Sequence, residues 1–103
     1  MEFEHIGLIT KQRHEGEVFV EATKVWVTDY KKHPYSIEWL RYEADSPVIG
    51  PVRTQPHIAF RVDDIYKASH SLKVFLEPFD VGFAVVGFYQ TEDGAVIEFM
   101  QYK

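Results

Sequence analysis

The sequence contains no cysteine. This absence excludes a disulfide framework, a thiolate nucleophile and any zinc or iron–sulfur site built on cysteine. The strong metal ligands that remain are histidine and the carboxylates, and the chain has 5 histidines and 16 aspartates and glutamates. Any metal bound by this protein therefore has nitrogen and oxygen ligands.

Positive charge is also scarce. The chain has 11 lysines and arginines against 16 acidic residues, which gives a net charge of −5 and a pI of about 5.4. Without a basic surface the chain is a poor match for nucleic acid or for an anionic membrane. A small-molecule substrate or another protein is the expected partner.

Long apolar runs are missing as well, and no stretch approaches the roughly 18 apolar residues of a membrane-spanning helix. The first residues, MEFEH, contain no basic segment followed by an apolar one, which a secretion signal would have. We therefore expect a cytoplasmic protein. With 103 residues, 46% of them hydrophobic and 16% aromatic, the chain has the composition of one folded globular domain.

The chain contains two copies of one sequence pattern. Three short segments of the first half recur in the same order in the second half, and each copy has His-Ile near its start. The matched segments are Glu4–Ile9 with Pro56–Arg61, Val18–Glu21 with Val74–Glu77, and Ile37–Tyr42 with Ile97–Tyr102. Such a repeat indicates one structural unit used twice.

A segment rich in proline and glycine lies between the copies. Pro47, Gly50, Pro51 and Pro56 interrupt helical and sheet hydrogen bonding, so this region is interpreted as a linker. The expected organisation is a single domain over residues 1–103, with module one at 1–45, a linker at 46–55 and module two at 56–103.

The sequence of each module predicts one strand, then a helix, then three further strands. The strand segments are rich in β-branched and aromatic residues, with turns at Lys31–Pro34 and Glu92–Gly94. Besides the repeated segments, strands are expected at Val25–Asp29, Tyr35–Glu43, Val81–Tyr89 and Ala95–Tyr102. The prediction is an α+β fold of two βαβββ modules.

The helix is expected to differ between the modules. In module two, Asp63–Leu72 places Ile65, Ala68 and Leu72 on one helical face after an aspartate that can cap the first turn. In module one, the equivalent stretch Lys11–Glu17 has no apolar residue that could pack on a core. The first helix is therefore predicted to be short or absent.

Four polar residues occupy matching positions in the two copies. His5 and His57 lie on the first strand of each module, and Glu38 and Glu98 lie on the last strand. Because strand side chains alternate between faces, each glutamate points away from its apolar neighbours, and each histidine shares a face with the small residue two positions later. We expect all four side chains on one concave face of the sheet.

Two carboxylates in one cleft would carry a double negative charge, which a divalent cation would neutralise. We therefore predict that His5, Glu38, His57 and Glu98 form one metal site. Two imidazoles and two carboxylates suit Zn, Ni, Co, Mn or Fe(II), and ligand type alone does not select among these metals.

At these residues the chain resembles the vicinal oxygen chelate superfamily, which includes glyoxalases, methylmalonyl-CoA epimerases, extradiol dioxygenases, fosfomycin-resistance proteins and bleomycin-binding proteins. In that family two βαβββ modules form a cupped sheet, and metal ligands lie on the first and last strand of each module. The stretch Asp93–Phe99, DGAVIEF, is similar to the family's recurrent ending. The four ligands look most like those of glyoxalase.

The predicted function is lyase or isomerase chemistry by proton transfer. An octahedral metal with four protein ligands keeps two adjacent positions, which two neighbouring oxygens of a small substrate can fill. Polarising the substrate carbonyl would stabilise the enediolate formed when the α-proton leaves. Glu38 or Glu98 would act as the catalytic base.

Two other functions stay open from the sequence. An Fe(II) dioxygenase needs two histidines and one carboxylate, for which His5, His57 and Glu98 suffice, although Glu38 would occupy a position needed for substrate or O2. A non-catalytic, antibiotic-type binding protein would use the sheet as an aromatic pocket. The aromatic candidates are Trp26, Trp39, Phe83, Phe88 and Tyr89.

Arg61 lies on the predicted cleft face with His57 and is a candidate for binding a substrate carboxylate or phosphate. His14, His33 and His70 lie in polar or turn segments and are left outside the site. A small sheet with exposed edges favours dimerisation, so a homodimer is expected.

Overall fold

The computed structural model describes all 103 residues. The chain forms eight strands, two short helices and a 3-10 turn at Tyr30–Lys32. The strands are β1 Glu2–Ile9, β2 Val18–Val20, β3 Val25–Val27, β4 Ile37–Tyr42, β5 His57–Arg61, β6 Lys73–Asp80, β7 Ala84–Gln90 and β8 Val96–Tyr102, and the helices are α1 Pro51–Thr54 and α2 Ile65–Ala68. The strand orders are β2-β3-β4-β1 in the first half of the chain and β5-β8-β7-β6 in the second half. Neither helix has the length and apolar character needed to cross a membrane.

The chain divides into two compact units. The first comprises Met1–Glu4 and His57–Lys103, and the second comprises His5–Pro56. In the second unit β1 pairs in parallel with β4, and β3 pairs antiparallel with both β4 and β2. In the first unit β5 pairs in parallel with β8, and β7 pairs antiparallel with both β8 and β6. The pairing scheme occurs twice, and the predicted α+β fold of two strand-rich modules with mostly antiparallel pairing is confirmed.

Helix α2 lies where the sequence predicts a helix, but it is shorter than predicted. The Asp64 carboxylate accepts hydrogen bonds at 3.1 Å from two backbone N–H groups of the first turn, so it caps the helix as expected. The helix ends at Ala68 rather than at Leu72. Residues 69–71, Ser-His-Ser, have low helix propensity and favour turns, which explains the early end.

In the unit that contains His57–Lys103, buried residues lie on both faces of the strands. Beneath α2, the buried residues are Val62, Ile65, Tyr89 and Phe99. A second buried cluster consists of Ala59, Ala84, Val86 and Met100. By strand alternation this second cluster lies on the face that carries His57 and Glu98. His57 and Glu98 are therefore flanked on that face by buried apolar side chains.

No helix forms between β1 and β2, as predicted for Lys11–Glu17. The segment instead runs as loop and turn, with Gly16 at a φ of 79°. Only glycine adopts such a backbone conformation without strain. The absence of the first helix is therefore confirmed.

The segment between the modules is more structured than the predicted linker. It contains α1, which begins at Pro51, a residue whose fixed φ suits the first helical position. The Arg53 guanidinium donates hydrogen bonds to the backbone carbonyls of Glu43, Ser46 and Val48 at 3.1–3.3 Å. The proline and glycine pattern predicts a break between strands but not this packing. The module boundaries at residues 45 and 56 stay a prediction.

The other predicted strands are present with shifted ends. β3 ends at Val27, because the Asp29 carboxylate caps the 3-10 turn by accepting a backbone N–H at 2.9 Å. β7 begins at Ala84, later than predicted, because Gly82 turns the chain with a φ of 101°.

Candidate metal centre

His5 and Glu38 lie on neighbouring parallel strands of one unit. β1 pairs with β4 in a register that sets Gly7 beside Glu38, and His5 precedes Gly7 by two positions on the same strand face. The Nε2 atom of His5 lies 3.4 Å from the Oε1 atom of Glu38. The imidazole is 1% exposed and the glutamate side chain is 15% exposed. Both groups are largely withdrawn from water.

His57 and Glu98 repeat this arrangement in the other unit. β5 pairs with β8 in a register that sets Ala59 beside Glu98, and Ala59 follows His57 by two positions. The Nε2 atom of His57 lies 3.2 Å from the Oε1 atom of Glu98, and these side chains are 1% and 8% exposed. The same ring nitrogen and the same register recur, so the repeat in the sequence is also a repeat in geometry.

An aromatic ring packs on each imidazole. Tyr30 stacks on His5, with ring centroids 4.1 Å apart and an interplanar angle of 26°. Phe88 meets His57 edge-on at 5.1 Å and 88°. These contacts restrict the orientation of both imidazoles. The role of Tyr30 has no sequence signal, because this residue lies outside the repeated segments.

The distances within the pairs are compatible with two ligands of one metal ion. Two ligand atoms that each lie about 2.1 Å from one ion, at angles of about 90–110°, are about 3.0–3.4 Å apart. A charge-assisted N–H···O hydrogen bond is shorter, at about 2.7–2.9 Å. The observed distances of 3.4 and 3.2 Å fall in the first range. Each pair can therefore supply two neighbouring ligands.

Each of the two pairs, His5 with Glu38 and His57 with Glu98, offers groups that could bind a metal ion. Each pair combines an imidazole nitrogen with a carboxylate oxygen, a donor set that first-row divalent metals accept. Calcium and magnesium are poor matches, because they prefer oxygen ligands alone.

The similarity of this chain to known proteins lies in its fold. No protein-family model and no curated protein among those searched matches the sequence. The methylmalonyl-CoA epimerase from Mycobacterium tuberculosis superimposes with a TM-score of 0.62 over 99% of this chain and 88% of that protein, at 14% sequence identity. The chain therefore shares the fold of that epimerase. At this identity the comparison shows the fold and not the activity.

Two further structures are similar to this chain with lower scores. A glyoxalase/bleomycin resistance protein/dioxygenase superfamily member from Vibrio splendidus has a TM-score of 0.46 and 16% identity, over 86% of this chain and 78% of that one. Glyoxalase I from Zea mays has a TM-score of 0.37 and 19% identity, over 97% of this chain and 44% of that one. Scores this low carry no weight for the function.

Arg61, the candidate substrate ligand, lies exposed at the end of β5. Its guanidinium carbon lies 4.0 Å from the centroid of the Tyr102 ring. The Tyr102 hydroxyl in turn donates a hydrogen bond to the Glu4 carboxylate at 2.8 Å. The cation–π contact positions the guanidinium on the strand face that it shares with His57.

The aromatic candidates for a binding pocket do not share one face of the strands. Phe88 and Tyr89 are consecutive on β7, so they point to opposite sides, and Tyr89 packs in the core against Phe99 with ring centroids 5.4 Å apart. In the other unit, Trp39 follows Glu38 on β4 and therefore lies on the opposite face from that glutamate. Of these rings, Phe88 is the one that contacts a histidine of a His–Glu pair.

Proposed function

We propose that His5, Glu38, His57 and Glu98 bind one divalent metal ion, and that the protein is a glyoxalase-like isomerase or lyase. The observation that carries this proposal is the equivalence of the two pairs. Each pair places Nε2 of a buried histidine 3.2–3.4 Å from a glutamate oxygen across the same strand register. A structural role for one histidine would not require the same geometry in the second copy.

Charge supports the same proposal. Glu38 and Glu98 are only 15% and 8% exposed, so water compensates little of their negative charge. Taking a carboxylate out of water carries a high energetic cost. A divalent cation shared by both carboxylates would balance it, and Zn, Ni, Co, Mn and Fe(II) all accept this donor set.

A metal ion bound there would act as a Lewis acid toward a carbonyl oxygen that becomes negative as an α-proton leaves. The chain itself contributes the base that removes this proton, for which Glu38 and Glu98 are the candidates. Glu38 has the more exposed side chain, so it is the better placed to reach a bound substrate. The substrate class is a small molecule with two neighbouring oxygens, such as a hydroxy-carbonyl compound.

Arg61 completes the proposed substrate site. Its guanidinium is held over the Tyr102 ring at one end of β5, the strand on which His57 stands at the other end. Arginine binds carboxylate and phosphate groups in a bidentate manner, so a negatively charged substituent on the substrate is the proposed partner. We also expect the active form to be a homodimer, whose second copy would cover an exposed sheet edge.

Elemental analysis tests the metal site. The protein, purified without chelators, should carry about one equivalent of a first-row metal, and His5→Ala, Glu38→Gln, His57→Ala and Glu98→Gln should each lose it. Loss of a direct ligand should weaken affinity by at least the roughly 10–100-fold that loss of an outer partner costs. His70→Ala and Glu92→Gln, at exposed positions outside the group, are the matched controls. Metal content unchanged in all four ligand variants would overturn the proposal.

A solvent-deuterium exchange screen on α-hydroxy and α-keto compounds tests the chemistry. The metal-loaded protein should catalyse exchange at the carbon next to the carbonyl. The glutamate variant that still binds some metal but loses exchange identifies the base. Turnover that depends on O2, with no deuterium exchange, would instead identify an Fe(II) dioxygenase. Tight binding of an organic ligand by protein that takes up no metal would identify a non-catalytic binding protein.

A further inference from the structure

The unit formed by His5–Pro56 contains a cavity of about 360 Å³. It is lined by the loop after β1, by the 3-10 turn and by β4, with His14, Glu15, Asp29, Lys32, His33 and Trp39 among its side chains. This volume falls in the range of about 300–1,000 Å³ that small-molecule sites occupy. The proposed metal-dependent function does not use any of these residues.

The cavity lies where module one lacks a helix. In the other unit, α2 packs over Phe99, which is buried beneath it. Trp39 holds the position of Phe99 in the repeat, but the chain before β2 is a loop and leaves the indole partly exposed. The missing helix therefore opens an aromatic wall that a helix covers in the second copy.

The partly exposed Trp39 ring already makes one stacking contact, with His14. The His14 imidazole lies nearly parallel to the Trp39 indole, with ring centroids 4.9 Å apart and an interplanar angle of 13°. Nδ1 of His14 donates to the backbone carbonyl of Gln12 at 3.0 Å, because a carbonyl can only accept, and this bond holds the ring in place. A planar ring bound in the cavity would pack beside these two rings.

The charges around the cavity favour a cation. Nδ1 of His33 accepts the backbone N–H of Tyr35 at 3.0 Å, so this ring nitrogen is occupied by the backbone. The acidic and basic side chains that line the cavity are two carboxylates, Glu15 and Asp29, and one ammonium group, Lys32. The local balance is negative, and the net charge of −5 on the whole chain adds to it.

We propose that this cavity binds a small aromatic ammonium compound, with its ring against Trp39 and His14 and its ammonium group beside Glu15 and Asp29. Trp39 and Glu38 are consecutive on β4 and point to opposite faces of the strand. The site is therefore distinct from the His5–Glu38 pair, and binding there requires no metal.

Isothermal titration with 2-phenylethylamine and phenylacetate tests whether the cavity prefers a positively or a negatively charged ligand. The two probes share a phenyl ring and differ in the charged group. The amine should bind saturably in the millimolar range or tighter, with chelator present, and should shift the NMR resonance of the Trp39 indole N–H, assigned with Trp26→Phe. Equal or tighter binding of phenylacetate, or no saturable binding of the amine, would overturn the proposal.

Two variants locate the site. Glu15→Gln should weaken amine binding about two- to five-fold, the effect of losing one exposed ion pair, while the exposed control Glu92→Gln should not change it. Trp39→Leu removes the stacking wall and should abolish detectable binding. Glu15 is exposed, so its replacement leaves folding intact and keeps the test valid if Trp39→Leu does not fold. Amine binding unchanged in Glu15→Gln would contradict the assignment.

Discussion

Replacing Gly87 by alanine is expected to destabilise the protein, although alanine is normally better than glycine in a strand. Gly87 lies in the middle of β7, and a Cβ atom added there would lie 2.8 Å from Cζ of Tyr89 and still closer to the hydroxyl oxygen. Ordinary carbon–carbon contacts are about 3.5–4.0 Å, so the tyrosine ring must move by roughly 0.7 Å or more. Tyr89 is 1% exposed and packs against Phe99, which leaves the ring no free space.

The expected loss of stability is the difference between two opposing effects. Forcing an extra methyl group into a packed core costs about 1–3 kcal/mol. Relief of the glycine backbone entropy returns roughly 0.5–1 kcal/mol. The net loss should be at most about 2.5 kcal/mol, with a central value of about 1.3 kcal/mol, which in a domain of this size lowers Tm by about 5–10 °C. The sign of the change in stability is the decisive result, because without the contact between the new Cβ and Tyr89 the substitution would stabilise the protein.

Thermal and urea denaturation followed by circular dichroism measure this effect. The same substitution in a Tyr89→Leu background provides the control, because leucine has no ring to meet the new Cβ. There the cost of Gly87→Ala should largely disappear. A Tm that stays the same or rises in the single variant, or an equal loss in both backgrounds, would refute the contact as the cause.

Three further predictions concern contacts that hold single elements in place. Hydrogen bonds from Arg41 to Glu17 at 2.8 and 3.0 Å lower the pKa of Glu17 from its ordinary 4.5. The stability from this pair is therefore complete above the ordinary pKa and is lost as pH falls through the lowered pKa, so Glu17→Gln should flatten the acid limb of a Tm–pH profile. Arg53→Ala removes the donor for three backbone carbonyls; it should cost about 1–3 kcal/mol and speed limited proteolysis at residues 44–50. Asp64→Ala removes the α2 cap and should cost about 1 kcal/mol in urea denaturation, whereas Asp64→Asn should keep most of that stability.

Each of these predictions has a clear contrary result. An acid limb that is the same in Glu17→Gln and wild type would show that the ion pair does not contribute to pH-dependent stability. Proteolysis at 44–50 that is unchanged by Arg53→Ala would mean that the segment is held by other contacts. Equal losses for the alanine and asparagine replacements of Asp64 would remove capping as the explanation.

His5, Glu38, His57 and Glu98 could be singled out from the sequence because strand alternation and the internal repeat can both be read from the order of the residues. On a strand, Glu38 lies on the face opposite Ile37 and Trp39, whatever that strand packs against. The same residue pattern recurs around Glu98, so the second copy supports the same assignment independently. The register of the parallel strand pairs, which brings each histidine near its glutamate, agrees with that reading in both units.

Other features could not be predicted, because they depend on contacts between segments that share no periodic pattern. Tyr30 reaches His5 from a 3-10 turn, and nothing in its spacing marks it for that position. Arg53 packs α1 onto backbone carbonyls, which have no sequence signature. The cavity beside Trp39 arises from an absent helix, so the correct prediction of the loop did not by itself reveal that the exposed wall is aromatic and organised by His14.

The repeated geometry also bears on how many ions the proposed centre holds. Each unit alone contributes one imidazole and one carboxylate, and two protein ligands are fewer than the three or four that metal sites of this class use. Two independent two-ligand sites would each be weak, and loss of one pair would leave the other half of the metal bound. A single four-ligand site behaves differently, because removal of either pair leaves too few ligands to hold the ion. Near-complete loss of metal in both His5→Ala and His57→Ala is therefore the result that separates one shared ion from two separate ones.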